Sequence, residues 1–370
     1  MLSFFTFLMF LGCAYAYFLY PAILFFLPKK TSKENAASID KVSVIIAARN
    51  EERYIATRIE NILAAEGNPE IIVCSDASDD RTDEIVASYA DRGVKLVRSP
   101  ERKGKEFAQA LAVKQATGEV LIFTDAKVRT EPSLVTNFLK YFRDETVGAV
   151  SSLDKVEVPD EQSSGEGMYV RYEMYLRNLE SDFNSLVGLS GSCFAVRKEV
   201  ASEIRTDIPS DFALLLAAQR LGYRGVIASD VLCYYGAVKT EEEEFKRKVR
   251  TVLRGISAFF ATPEALQVSP VFTWQIVSHK LFRWLVPIFL ILGTVGAYSL
   301  SDQSGFWYLV SLALTAFYSL ALAGYFFPQT REKKYVKLPL FFIVTNAGIG
   351  MAWIKFLMGE RSVVWNPSVR

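Results

Sequence analysis

The sequence predicts an α/β protein: a mostly parallel sheet with helices on both faces, joined to membrane-spanning helices at its two ends. Three observations predict it. Residues 42–230 alternate short β-branched runs with stretches of helical period. Uncharged stretches about as long as a bilayer is thick lie towards the chain ends. Acids and amides follow the ends of three of the first four expected strands, where open parallel sheets bind ligands.

Residues 2–27 carry no charge and are rich in Phe, Leu and Tyr. They lack the basic start of a cleaved leader. Lys29-Lys30 follow, and positive loops stay in the cytoplasm. Residues 1–28 are therefore read as a retained anchor, and the polar residues 29–40 as a tether. "VSVIIAA", "EIIVCS", "VKLVRS" and "EVLIFT" then read as buried strands. The segments after them hold apolar residues at helical spacing, as Ile55, Ile59, Ile62 and Leu63 do. Such alternation implies parallel strands with helical crossovers.

Towards the other end, residues 284–300, 303–330 and 338–354 are uncharged, which gives two to three further crossings. The basic loop Arg331-Glu332-Lys333-Lys334 is expected in the cytoplasm. The last stretch carries Asn346, Gly348 and Gly350, which also suits a re-entrant segment. A full crossing would leave Lys355, Arg361 and Arg370 outside, and that crossing is the preferred reading.

A formal net charge of +1 gives no indication of nucleic acid. Four cysteines without pairing or ligand spacing suit a reduced compartment, and a single histidine excludes a zinc constellation. His279, beside Lys280 and Arg283, reads as an interface anchor, with a lipid-phosphate contact as the alternative. "FKRKVRTVLRGISAFF" is amphipathic. Val249, Leu253, Ile256 and Phe260 share one face, as in a helix lying at a membrane surface.

The strand ends hold Asn50 and Glu51, then Asp76, Asp79 and Asp80, then Asp125. Any one of these clusters could be turn or cap chemistry. All of them on one sheet edge point to a ligand site.

At these residues a resemblance enters. "VSVIIAARNEERYI", "SDASDDRTDEI", "GKEFAQALA", "LIFTDA", "GLSGSCFAVRKEV" and "SDFALLLAAQRLGYR" follow the order of the family 2 glycosyltransferases, inverting enzymes of GT-A fold. "YVRYEMYLRNLES" and "WQIVSHKLFRWLVP" resemble membrane-bound members that build bacterial exopolysaccharide or lipid-linked saccharide. The resemblance covers roughly residues 40–255. It implies that Ala47, Asn50 and Glu51 border the nucleotide and that Asp76 meets the base, usually uracil. It implies that Lys105 approaches the diphosphate or ribose, that Asp125 binds Mg²⁺ or Mn²⁺, and that Asp211 is the general base. Asp211 heads a helix, so an N-cap is its alternative role.

This chain departs from the pattern at several points. Lys127 stands where the family has a second metal acid, so it either faces the phosphates or is solvated. Ser210 replaces an acid before the base, and Ala110 replaces an Asn. Processive members have Gln-x-x-Arg-Trp where this chain has Arg247-Lys248-Val249-Arg250-Thr251. Without that tryptophan, addition of a single sugar is favoured. Arg247, Arg250 and Arg254 contact either anionic lipid or the donor or acceptor phosphates.

The expected division is an anchor (1–28), a tether (29–40), a GT-A catalytic domain (41–240), interface helices (241–283), a transmembrane region (284–358) and a tail (359–370). The implied partners are a nucleotide-sugar donor, a polyprenyl-linked or glycan acceptor, membrane lipid and polysaccharide-assembly proteins. The implied place is a bacterial inner membrane, with the catalytic domain in the cytoplasm. Other readings are a processive synthase, a non-catalytic subunit of an assembly complex and a polyprenyl-phosphate sugar transferase.

Overall fold

The structure is a computed structural model that describes residues 1–31, 39–157, 165–236, 241–331 and 333–360. Most of the expected tether, Glu332 of the basic loop and Arg361 and Arg370 of the tail lie outside the described residues.

Among the described residues, eight strands form one sheet: β1 (Val42–Ala48), β2 (Glu70–Ser75), β3 (Val94–Arg98), β4 (Val120–Asp125), β5 (Val128–Thr130), β6 (Val147–Glu157), β7 (Cys193–Arg197) and β8 (Arg224–Gly236). Their spatial order is β3-β2-β1-β4-β7-β6-β8-β5. β1 pairs in parallel with both β2 and β4, and every one of its residues is buried. A strand covered on both faces needs this unbroken apolar run. Its alternate residues serve two cores. Val44 and Ile46 meet Ile55, Ile59 and Phe138, while Ile45 and Ala47 meet Ala108, Ala112 and Leu214. The fold is the mostly parallel Rossmann-like sheet of GT-A proteins, with apolar helices before and after it.

The reversed strands belong to the second half of the sheet. β7 runs antiparallel to β4 and β6, and β5 runs antiparallel to β8. β6 and β8 pair in parallel with register shifts at Val147/Ala149 and Ser152/Leu153. Such bulges re-aim a strand. The outer halves of β6 and β8 continue past the sheet beside β5, and Asp154 lies opposite Cys233 there.

Among the described residues, four helices are long and apolar enough to cross a membrane: Leu2–Phe26, Pro270–Leu300, Gly305–Phe326 and Lys334–Leu357. The last is one unbroken helix of 24 residues, so a re-entrant form is not what the structure holds. At 1.5 Å per residue it exceeds the ~30 Å hydrocarbon core.

Two expectations change here. The amphipathic helix Glu241–Phe260 does not leave its apolar stripe for lipid. Val249, Leu253 and Ile256 are buried with Phe272, Ile276, Trp284 and Ile349. Phe260 is half exposed and meets the rings of Trp353 and Phe356. His279 is buried rather than an anchor at an interface. Its ring nitrogens lie 2.8 Å from Glu180 and 3.0 Å from Glu173, both on the helix Gly165–Phe183. Arg283 joins Glu173 at 2.5 Å, and the Tyr20 hydroxyl donates to Glu180 at 2.7 Å. This buried polar network ties the helix Gly165–Phe183 to the apolar helices, and paired partners are what make buried charge tolerable.

Candidate active site

The carboxyl ends of the parallel strands open into a cleft of about 430 Å³, closed on its far side by the helix Glu241–Phe260 and by Lys280. Glu51, Lys105, Asp125, Lys127, Asp211, Arg247, Arg250 and Arg254 all line it. Ala47, by contrast, is buried within β1.

The turn after β4 is set by Arg58, a buried guanidinium that sequence reading had missed. It donates to Thr124 at 2.8 Å and to Thr130 at 3.0 Å, one residue on each side of the segment 125–129. Burial lowers its pKa, partly countered by nearby groups that include Asp125. Asn61 bonds Thr130 through its backbone N–H and C=O, which fixes β5.

Asp125 projects from the end of β4, and Lys105 meets it. The Lys105 ammonium lies 2.5 Å from Asp125 Oδ1 and donates to the Gly191 carbonyl at 3.1 Å. Burial opposes this charge, but Asp125 outweighs it and holds the lysine above its usual pKa. The ammonium expected to approach a diphosphate is here paired with Asp125 at the cleft wall.

Gly191 also makes room for the candidate base. A Cβ there would lie 3.0 Å from Asp211 Oδ2. Asp211 is in the first turn of the helix Ser210–Arg220, and its Oδ1 accepts from the N–H of Phe212 at 2.8 Å. The N-cap position itself is Pro209, which makes no side-chain cap bond. The cap alternative for Asp211 is therefore not realised, and its second oxygen is turned to the cleft side at Gly191. Asp154 lines the cleft as well. It accepts from Ser190 at 2.5 Å and Ser192 at 2.7 Å, a role not legible beforehand.

On the β1 and β2 side, Asp76 is buried and accepts from the N–H of Lys103 at 2.8 Å and of Gly104 at 3.0 Å. Its carboxylate shapes the turn that leads to Lys105. Asn50 adopts a positive φ of 53°, and its side chain accepts from Asp79 N–H at 2.9 Å. Asp80 accepts from Thr82 N–H at 3.0 Å and so satisfies a donor in the first turn of the helix Thr82–Ala87, whose N-cap position is Arg81. Glu51 is buried, with Oε2 unbonded and Lys127 3.4 Å from Oε1. Burial lifts its carboxyl to about 7, against the pull of Lys127. Lys127 also sits over the Tyr54 ring, so it is neither bare solvent charge nor a partner of Asp125.

The three arginines share one helix but not one task. Arg247 donates to Glu244 of its own helix at 2.9 Å. Arg254 pairs with Glu106 and so clamps the helix Glu241–Phe260 to the helix Lys105–Gln115. Arg250 and Thr251 line the cleft between them.

Among the described residues, no three His, Cys, Asp or Glu side chains gather into a metal cage. Asp125 supplies one carboxylate, with one oxygen already on Lys105. This set fits a hard divalent ion that brings its remaining oxygen ligands from substrate and water. It does not fit an ion held by protein alone.

Comparison with known proteins agrees with the geometry. Residues 43–205 match the glycosyl transferase family 2 model, so this stretch carries a domain of that family. It is 31% identical over 135 residues to a beta-monoglucosyldiacylglycerol synthase of Trichormus variabilis, covering 35% of this chain and 29% of that one. It is 34% identical over 86 residues to a UDP-Glc:alpha-D-GlcNAc-diphosphoundecaprenol beta-1,3-glucosyltransferase of Escherichia coli, covering 23% of this chain and 34% of that one. The matches thus span about a third of these relatives' length. A mannosyltransferase of Pyrobaculum calidifontis, solved with GDP-Man and Mn²⁺, shares the fold. Its TM-score is 0.75 at 21% identity, over 98% of this chain and all of that one.

Proposed function

We propose that this protein is an inverting glycosyltransferase that moves one sugar from a UDP-sugar to a polyprenyl-linked acceptor at the cytoplasmic face of a bacterial inner membrane. The observation that carries the reading is the position of Asp211. One carboxylate oxygen reaches the cleft against Gly191, and the strand-end residues stand across from it. An inverting transfer asks for one such base. Asp211 takes the acceptor hydroxyl proton as that oxygen bonds to the anomeric carbon and the bond to the diphosphate breaks. Lys127 and Arg250 line the side where the leaving charge grows, and positive charge placed there lowers the barrier. When bound at Asp125, Mg²⁺ or Mn²⁺ would supply further charge to the diphosphate. Asp76 and Asn50 shape the loops that receive the nucleotide.

A lipid-linked acceptor is supported by the helices beside the cleft and by relatives whose names specify diacylglycerol or diphosphoundecaprenol substrates. Thr251 at the cleft offers no aromatic face to hold a product for a further round. Single addition follows, rather than processive synthesis. The test is a panel of nucleotide-sugars with purified protein in lipid discs and extracted polyprenyl-linked saccharide. Nucleotide release should accompany a mass gain of one sugar per acceptor. A ladder of long products from this protein alone would overturn single addition, and no release from any donor would overturn the activity.

A further inference from the structure

Lys280 lies inside the helical stretch Pro270–Leu300, the second of the apolar helices named above. Its neighbours on that helix are occupied: His279 by Glu173 and Glu180, and Arg283 by Glu173. Lys280 points the other way. It lines the cleft, rests over the Phe212 ring at 5.5 Å from its centroid, and forms no ion pair or hydrogen bond with any described residue. The chain makes room for it. A Cβ on Gly188 would fall 3.1 Å from the Lys280 ammonium, as one on Gly191 would fall 3.0 Å from Asp211. Two glycines of one segment thus admit one acid and one base to the same cleft.

A half-buried ammonium with no paired anion is costly to keep; Asp211, Glu173 and Glu180 act on it only across a distance, and the ring beneath it compensates only in part. The missing anion can be located by following contacts along the cleft. Asp76 holds the turn at Lys103 and Gly104. Lys105 then bonds Asp125 and Gly191, Gly191 abuts Asp211, and Lys280 lies beyond, over the residue that follows Asp211. The ammonium is therefore at the end of the cleft remote from Asp76 and nearest the membrane helices.

Resting on the transferase reading above, we propose that Lys280 binds the phosphate of a lipid-borne acceptor, so that the acceptor is a polyprenyl phosphate or diphosphate derivative and not a neutral glycolipid. Lys280 is then an acceptor-binding residue. It anchors the phosphate while Asp211, next to it, faces the attacking oxygen. Donor diphosphate is the other source of the same chemistry, and it belongs at the Lys127 and Asp125 end.

Binding to the full-length protein in lipid discs separates these sources without requiring turnover. The probes are farnesyl phosphate, farnesol, UDP and inorganic phosphate, with wild type, Lys280→Met and Lys280→Arg. Loss of a charge-assisted contact should weaken farnesyl phosphate binding by about tenfold or more in Lys280→Met. Farnesol and UDP should bind as to wild type, which also shows that the variant is folded. Lys280→Arg should recover much of the loss. Equal weakening of farnesol would mark a structural lysine and overturn the proposal. Weakening of UDP with farnesyl phosphate unaffected would assign the ammonium to the donor, and inorganic phosphate binding as tightly as farnesyl phosphate would assign it to a free anion. Either result overturns the proposal. If the farnesyl phosphate result holds but no nucleotide-sugar is ever consumed, the lysine assignment stands and the transferase reading falls.

Discussion

Glu51 is a cleft residue whose acidity its surroundings alter. Burial lifts its carboxyl to about 7 although Lys127 lies 3.4 Å away. A raised carboxyl binds its proton more tightly in the folded chain than in the unfolded one. Its stabilising contribution is therefore complete below about pH 4.5 and is lost as pH rises through about 7. Each pKa unit corresponds to roughly 1.4 kcal/mol, which bounds the effect at the order of 3 kcal/mol. Glu51→Gln, neutral at every pH, should raise the thermal midpoint at pH 8 and leave it nearly unchanged at pH 4. A wild-type-minus-variant difference that is flat from pH 4 to 8 would show that Glu51 ionises normally. The same residue illustrates what linear sequence hides. Its place after β1 was legible, but its partner Lys127 is 76 positions away and its burial depends on the loop 76–82 folding over it.

At the scale of elements, β4 and the turn after it carry the question of the metal. Lys127 stands where relatives are expected to have an acid, yet it serves Glu51 and not Asp125. Asp125 is neutralised instead by Lys105. A divalent ion carries twice the charge of an ammonium and can bridge two phosphates. Activity should therefore need Mg²⁺ or Mn²⁺ and stop in EDTA, with Asp125→Ala costing more than Lys127→Ala. Full turnover in EDTA, together with the reverse order of the two variants, would show that lysine has taken the ion's place.

The elements also divide into legible and illegible sets. β1, β2 and β4 each read as a short apolar run because helices cover both faces of the sheet there, while β3, at the sheet edge, alternates buried Val94 and Val97 with exposed Lys95 and Arg98. β5 to β8 did not. β8 is interrupted by Asp230, whose side chain bonds Tyr141, and β7 runs backwards between strands distant in sequence. The acids at strand ends were legible because position alone defines them. Arg58, Asp154 and Lys280 were not, because their meaning lies in what the fold brings beside them. The helix Glu241–Phe260 was legible as amphipathic, but periodicity does not say whether lipid or protein covers the stripe, and here protein does.

Over the whole molecule, the catalytic half and the membrane helices are joined by buried contacts. The Tyr20 hydroxyl donates to Glu180 at 2.7 Å and the His279 cluster lies between the two halves, while Tyr15, bonding Ser278 at 2.6 Å and receiving Trp274 at 3.0 Å, joins two of the membrane helices to each other. With the proposed orientation, Glu242 belongs in the cytoplasm and the short loop at Asp302 outside. Asp302→Cys should react with an impermeant thiol reagent on intact cells, and Glu242→Cys only after permeabilisation. The reverse pattern would invert the topology and place the cleft on the wrong side for a cytoplasmic donor. The central claim is that Asp211 removes the acceptor's proton during sugar transfer, and one comparison tests it most directly: transfer rate and UDP affinity of wild type and Asp211→Asn in lipid discs. The account predicts a rate lower by about 10² to 10⁴ with UDP binding retained. An Asp211→Asn variant that transfers sugar at nearly the wild-type rate would contradict it.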